Sequence, residues 1–435
     1  MARFLVTAMP FTGHVAPMIA VAAALVSRGH GVRVYTGAAF RGRVEATGAR
    51  LVPWSSAPDF DEQDLPATFP RLVGKKGLGQ LLVNMEDLFV GTAPGQVADL
   101  AAEWEREPWD ALVSEETSLG PRLVAERIGC RWATVAIASL NLPSSQGPPP
   151  GLGLAPGRGT LGRARDAALR GLVPILAGRL TGPVARARSD AGLLRGPVRF
   201  DHLVHSPQLI LATGVPALDH RRTDRPGTLR WVGRLALPPA PASAAPLPAW
   251  WPDLAGRSVV HVTQGTQNVD PADLLLPALE ALAGLDVLVV ATTGVRGQHA
   301  LPFPVPANAR VADFVPHDLL LPEVDLVVTN GGWGGVLAAL EHGVPLVVAG
   351  GDLDKPEVAA RVASAGVGLN LRTGRPGVGA LRAAVHAALG DDALRARARA
   401  LATELASAGG AGGAALALEE FVAGPVDLPP REITT

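Results

Sequence analysis

The sequence predicts an α/β protein of two doubly wound, Rossmann-like domains facing each other across a cleft. Short apolar runs alternate with helix-length segments in both halves of the chain, as parallel strands joined by crossover helices do. Hydrophobic residues make up 48% of the chain and aromatics only 4%, so the apolar mass is Ala, Leu and Val, which suits helices on buried parallel strands. A Pro/Ala-rich break at 237–252 separates the two alternations and reads as a semi-rigid linker. A length of 435 residues is ample for such cores.

The chain opens on a charge-free stretch, Phe4–Ser27. Pro10, Thr12, Gly13, His14 and Pro17 argue against a signal or membrane span, because they would carry polar groups and broken backbone bonds into hydrocarbon. The stretch reads as a strand (Phe4–Ala8), a turn (Pro10–His14) and a helix (Val15–Arg28), followed by a strand at Gly31–Thr36. A cytoplasmic protein with no integral membrane segment is expected. A helix at Phe40–Thr47 and a strand at Ala49–Pro53 follow, then a polar loop, Ser55–Gly79, and a helix over Gln80–Glu105. Strands at Asp110–Ser114 and Trp132–Ala136 flank a helix at Leu119–Ile128. The Pro/Gly/Ser-rich loop Leu140–Gly159 is of a size that is often functional. The Arg-rich stretch Arg163–Arg199 reads as a solvated helix over the cleft rather than a membrane-surface helix.

Beyond the linker, strands are expected at Ser258–Thr263, Leu285–Ala291, Asp325–Thr329, Pro345–Ala349 and Val367–Leu371. From Gly377 the chain is mostly helical, with a break at Gly409–Gly413.

Charge narrows the function. Thirty-nine Lys+Arg oppose 40 Asp+Glu, and charged residues are 18% against ~25% in a typical soluble chain. A general nucleic-acid binder needs a basic face and is not indicated. The single cysteine, Cys130, forms no disulfide within the chain, offers no Cys-based metal site and reads as a small buried residue. The only lysines are Lys75, Lys76 and Lys355.

The most informative segment is VTNGGWGGVLAALEHGVPLVVAGGDLDKPEVAARV, Val328–Val362. A strand ends at Asn330, then Gly331, Gly332, Gly334 and Gly335 lead into a helix. Such glycines let an anion approach the backbone, where the free N–H groups and dipole of the new helix stabilise it. A second turn, Gln264–Gln267, adds Gly265 and the Thr266 hydroxyl. Neither turn is GxxxxGK[ST] or GxGxxG, which argues against kinase and dehydrogenase sites. On pattern alone a purely structural turn stays open.

This segment resembles the donor-binding signature of the family 1, UDP-glycosyltransferase-like enzymes, nucleotide-sugar-dependent transferases of the GT-B fold. Their pattern, HGGxGT or HxGxGG, a carboxylate, then GVPxxxxPxxxDQxxNA, aligns without a gap from Asn330 to Ala359. VTQGT at Val262–Thr266, DFVPHDLLLP at Asp313–Pro322 and GHVAPM at Gly13–Met18 resemble the bacterial, macrolide glycosyltransferase-like branch that tailors lipophilic natural products. The resemblance covers nearly the whole chain. It implies an acceptor-binding domain at 1–236, the linker at 237–252, a nucleotide-sugar-binding domain at 253–412 and a helix and tail at 413–435 returning to the first domain.

It also implies roles for individual residues. Gly265, Thr266, Gly331, Gly332, Gly334 and Gly335 would meet the diphosphate, Phe314 and Val315 the base, and Asp354 the donor sugar. Three positions depart from the pattern: Asn330 replaces the phosphate-binding histidine, Ala338 the ribose-binding carboxylate (with Glu341 the nearest acid), and Lys355 the glutamine after Asp354. Lys355 then reads either as a donor contact or as an exposed helix-start lysine, and Phe314 either as a base contact or as core.

In the same resemblance the histidine after the first strand, His14, deprotonates the acceptor hydroxyl, and imidazole suits that task near pH 7. The family orients it with the second aspartate of D-x-x-x-x-D; here the segment runs from Asp110 to Glu115, so Glu115 is the expected orienting group, with Glu116 as the alternative. Asp352 and Asp354 form a DxD by spacing but fall in the sugar-contacting segment, so no metal and no cofactor beyond a UDP- or dTDP-sugar co-substrate is expected. The expected activity is inverting transfer to a hydroxyl of a lipophilic small-molecule acceptor, by a monomer or homodimer. The competing readings are a nucleotide-sugar epimerase of the same fold and a catalytically silent binding protein.

Overall fold

A computed structural model describes residues 1–75, 77–193, 201–238, 247–265 and 270–425. Thr266, Lys76, the end of the Arg-rich stretch, half of the linker and the last ten residues lie outside the described residues.

The first sheet has seven parallel strands: β1 (Arg3–Thr7), β2 (Gly31–Thr36), β3 (Arg50–Pro53), β4 (Ala111–Glu115), β5 (Trp132–Ala136), β6 (Leu209–Thr213) and β7 (Leu229–Gly233). Their order is β3-β2-β1-β4-β5-β6-β7. The second sheet has six: β8 (Val259–Thr263), β9 (Leu288–Thr292), β10 (Ala309–Ala312), β11 (Leu326–Thr329), β12 (Leu346–Val348) and β13 (Gly368–Asn370), ordered β10-β9-β8-β11-β12-β13. Both sheets therefore reverse strand order once, between β1 and β4 and between β8 and β11. Such reversals open crevices beyond the carboxyl ends of the strands.

Alternate residues of each strand feed opposite faces. On β1, Phe4 and Val6 pack with Val15, Ile19 and Leu25, while Leu5 packs with Tyr35 and Leu112 on the other side. On β8, Val259 and Val260 likewise enter separate cores. Apolar runs buried on both faces are what a doubly wound parallel sheet requires.

Several boundaries differ from the sequence expectation. The first helix is Thr12–Ser27, so His14 lies in its opening turn and the preceding turn is shorter than Pro10–His14. The Phe11 carbonyl accepts the N–H groups of His14 (3.0 Å) and Val15 (2.8 Å), which starts the helix early. The expected single helix over Gln80–Glu105 is three pieces: Gly77–Val83, a π-helical turn at Asn84–Val90, and Ala93–Arg106. The expected loop Ser55–Gly79 contains short helices at Leu65–Thr68 and Pro70–Leu72. Strands β6, β7 and β10 lie outside the expectation altogether. Cys130 is buried, which pushes its thiol up to about 12.

The last helix, Gly410–Ala423, packs on the helix Thr12–Ser27, with Ala414, Ala415 and Leu418 in the core that holds Val15 and Ile19. Glu419 receives Arg28 (2.7 Å) and His30 (2.7 Å), which hold its carboxyl down at about 2. Contacts also cross the cleft. Arg361 meets Asp219 at 2.5 Å and the Leu140 carbonyl at 2.7 Å, and the Trp333 indole N–H donates to the Thr213 hydroxyl at 2.9 Å.

Candidate active site

The crevice between β1 and β4 is built from side chains. Glu115 is the last residue of β4 and is fully buried. Its Oε1 accepts the Met9 N–H (3.2 Å) and lies 3.3 Å from His14 Nδ1; its Oε2 accepts the Thr117 N–H (2.6 Å). The Thr117 hydroxyl sits 2.7 Å from Oε1, 2.9 Å from Oε2 and 3.1 Å from His14 Nδ1. Burial pushes this carboxyl up, but His14 and the Thr117 hydrogen bonds more than offset that and hold it below the usual carboxylate range. The His14 side chain is 26% exposed, and among the described residues its Nε2 has no hydrogen-bond partner. The Phe11 ring lies against it at 5.1 Å.

Of the two glutamates considered for the orienting role, Glu115 is thus the one that reaches His14. Glu116 turns elsewhere. Its Oε1 accepts the Ala138 N–H at 2.9 Å, while its buried Oε2 has no partner among the described residues. Burial, with help from the nearby Glu115 and Asp354 carboxylates, pushes Glu116 up to about 8.

The crevice between β8 and β11 is built from backbone. Gly331 adopts φ 92°, and a Cβ there would stand 2.8 Å from Val348 Cγ1. Gly332 caps the helix Trp333–Glu341, whose first turn includes Gly334 and Gly335. A Cβ on either of those two would meet nothing within 4 Å, so the outer face of this first turn, where helix N–H groups have no intrahelical partner, is open. Asn330 is buried and braces the two turns. Its amide donates to the Gln264 carbonyl and its Oδ1 accepts the Gly332 N–H at 3.3 Å. A Cβ on Gly265, at φ 72°, would lie 3.6 Å from the Asn330 amide, so the turns converge there.

Asp354 caps the helix Lys355–Ala365. Burial raises its pKa, while its backbone hydrogen bond and the nearby Lys355 and His14 draw it back. Lys355 is only 8% exposed, which overturns the reading of an exposed helix-start lysine. It reaches Asp352 at 3.1 Å and, with Asn330, Leu274, Gly351 and Arg375, lines a cavity of about 370 Å³. Phe314 is 45% exposed, which excludes the core reading, whereas Val315 is packed in the second domain's core. Ala338 is buried, and Glu341 is held by Arg234 at 2.6 Å.

The geometry adds Thr117 to the site. Its only signal in the sequence is a hydroxyl two residues beyond the expected carboxylate.

Known proteins are similar to this chain in sequence and in fold. Residues 277–420 match the family model described as erythromycin biosynthesis protein CIII-like, C-terminal domain. The chain is 44% identical over 411 residues to 4'-demethylrebeccamycin synthase of Lentzea aerocolonigenes, covering 93% of this chain and 96% of that one. It is 34% identical over 387 residues to UDP-glucosyltransferase B1 of Starmerella bombicola, covering 84% and 86%. In structure it is similar to the glycosyltransferase VinC solved in complex with dTDP, at a TM-score of 0.68, with 21% identity and coverage of 97% and 99%. Identities of this size over nearly whole chains place the protein in the family of these relatives: it is a glycosyltransferase of the GT-B fold.

Proposed function

We propose that the protein transfers a sugar, with inversion, from a UDP- or dTDP-sugar to a hydroxyl of a lipophilic natural product. The observation that carries this is His14, held on Nδ1 by the buried Glu115 carboxylate, with its Nε2 without a partner among the described residues. His14 Nε2 takes the proton of the acceptor hydroxyl as its oxygen attacks the anomeric carbon from the face away from the diphosphate. The anomeric C–O bond to the diphosphate breaks, and the nucleoside diphosphate leaves with its charge met by N–H groups of the Gly265 and Gly331–Gly335 turns. Asp354 takes hydrogen bonds from sugar hydroxyls, and the exposed Phe314 offers a face to the base. Asp352 is already engaged by Lys355, so the reading gives the leaving-group charge to the turns and Lys355 rather than to a metal ion.

The nucleotide assignment is supported by the relative named a UDP-glucosyltransferase and by the similar fold solved with dTDP. The acceptor class is supported by the relative whose name makes it a synthase of 4'-demethylrebeccamycin, and by the partly buried Phe11 ring 5.1 Å from the His14 ring. The test is nucleoside diphosphate release from UDP- and dTDP-sugars with a panel of lipophilic acceptors. Acceptor-dependent release is expected. Conversion of the donor without acceptor would favour the epimerase reading, and no release with any pair would contradict transfer.

A further inference from the structure

We propose that Thr117 is a positioning residue for proton transfer: its hydroxyl bridges Glu115 and His14, fixes the Nδ1–H tautomer of His14 and leaves Nε2 bare toward the acceptor. The inference rests on the reading of His14 as the base. A glutamate has three side-chain torsions, so burial alone does not fix its carboxylate. Met9 N–H, Thr117 N–H and the Thr117 hydroxyl together do, at 3.2, 2.6 and 2.7 Å. Two of these three donors belong to Thr117.

The tautomer follows from counting protons. A threonine hydroxyl has one proton and two lone pairs. With that proton directed to Glu115, a lone pair remains for His14 Nδ1 at 3.1 Å, shorter than the direct Nδ1–Oε1 contact of 3.3 Å. Nδ1 then faces two acceptors and must carry hydrogen. In the opposite arrangement the hydroxyl donates to a bare Nδ1, and the imidazole lone pair is left against an ionised carboxylate oxygen. The other charged groups near this pair are Glu116, beside Glu115, and Asp354, from across the cleft. Neither has a hydrogen bond to the imidazole among the described residues, so neither sets its tautomer.

The test uses the full-length protein. Thr117→Val keeps the shape and removes the hydroxyl. It is expected to lower kcat about tenfold, as loss of one charge-assisted hydrogen bond would, with acceptor KM and nucleoside diphosphate affinity unchanged. Thr117→Ser is expected to restore kcat. Nitrogen NMR of labelled histidine, assigned through His14→Ala, should show His14 protonated on Nδ1 in the wild type and a mixture of tautomers in Thr117→Val. The wild-type spectrum needs no variant to fold: a resting His14 protonated on Nε2 overturns the proposal. So does Thr117→Val with wild-type kcat, or Thr117→Ser as impaired as Thr117→Val. His14→Ala separates the two levels. If it turns over normally, the base reading fails; if it is inactive while Thr117→Val is normal, only the role of Thr117 fails.

Discussion

The crevice between β1 and β4 and the crevice between β8 and β11 sit at the same place in sheets of the same strand order, yet they are made of different material. In the first, a histidine, a buried glutamate and a threonine converge within hydrogen-bond distance. In the second, a left-handed Gly331 leads into a helix start whose outer face is open at Gly334 and Gly335, and the buried Asn330 side chain is engaged in bracing the turns. Topology supplies a location; residue type decides whether it moves a proton or holds an anion. The net charge of −1 fits this division, because an anion met by backbone dipoles needs no basic surface.

The comparison can be broken or sharpened by experiment. The largest effect belongs to the side-chain crevice. His14→Ala is expected to lower kcat by about 10²–10⁴-fold, the usual contribution of a general base, in a single-turnover assay. An intermediate effect belongs to the backbone crevice. Gly331→Ala places a methyl at φ 92° and against Val348, so a loss of about 1–3 kcal/mol is expected in denaturant unfolding, with weaker nucleoside diphosphate binding. Gly334→Leu, where the space is open, is expected to weaken that binding with no loss of stability.

A pH-dependent effect belongs to Glu116, the residue after β4. Glu116 is pushed from 4.5 to about 8 in the folded protein, so the folded state holds its proton more tightly than the unfolded chain does. Stability is therefore lost as pH rises from about 4.5 toward 8, where the unfolded chain releases the proton and the folded protein does not. Glu116→Gln should unfold at the same temperature as wild type near pH 4.5 and a few degrees higher at pH 8. Equal melting temperatures at pH 8 would contradict the assignment.

Much of this was legible in the sequence, for particular reasons. The glycine turn at Asn330–Gly335 stands at a strand end, where pattern carries information, and the carboxylate at Glu115 was reached through the family resemblance. Strand β10, with the partly exposed Arg310 and Val311, is a short edge strand with no strong apolar signal, and the helix start at Thr12 is set by the Phe11 carbonyl rather than by any breaker. Thr117 was hidden for a deeper reason. Its role depends on the chain after β4 curling back so that backbone and hydroxyl grip the same carboxylate, and no periodicity encodes that path. The exposure of Phe314 beside the buried Val315 and the burial of Lys355 were equally tertiary outcomes.

The division of labour between the crevices is tested most directly by measuring two quantities, nucleoside diphosphate affinity by calorimetry and turnover at saturating donor, on both His14→Ala and Gly334→Leu. The account predicts that His14→Ala keeps affinity and loses turnover, and that Gly334→Leu loses affinity and keeps most of its turnover once donor is saturating. Loss of both quantities in both variants, or undiminished turnover in His14→Ala, would contradict it.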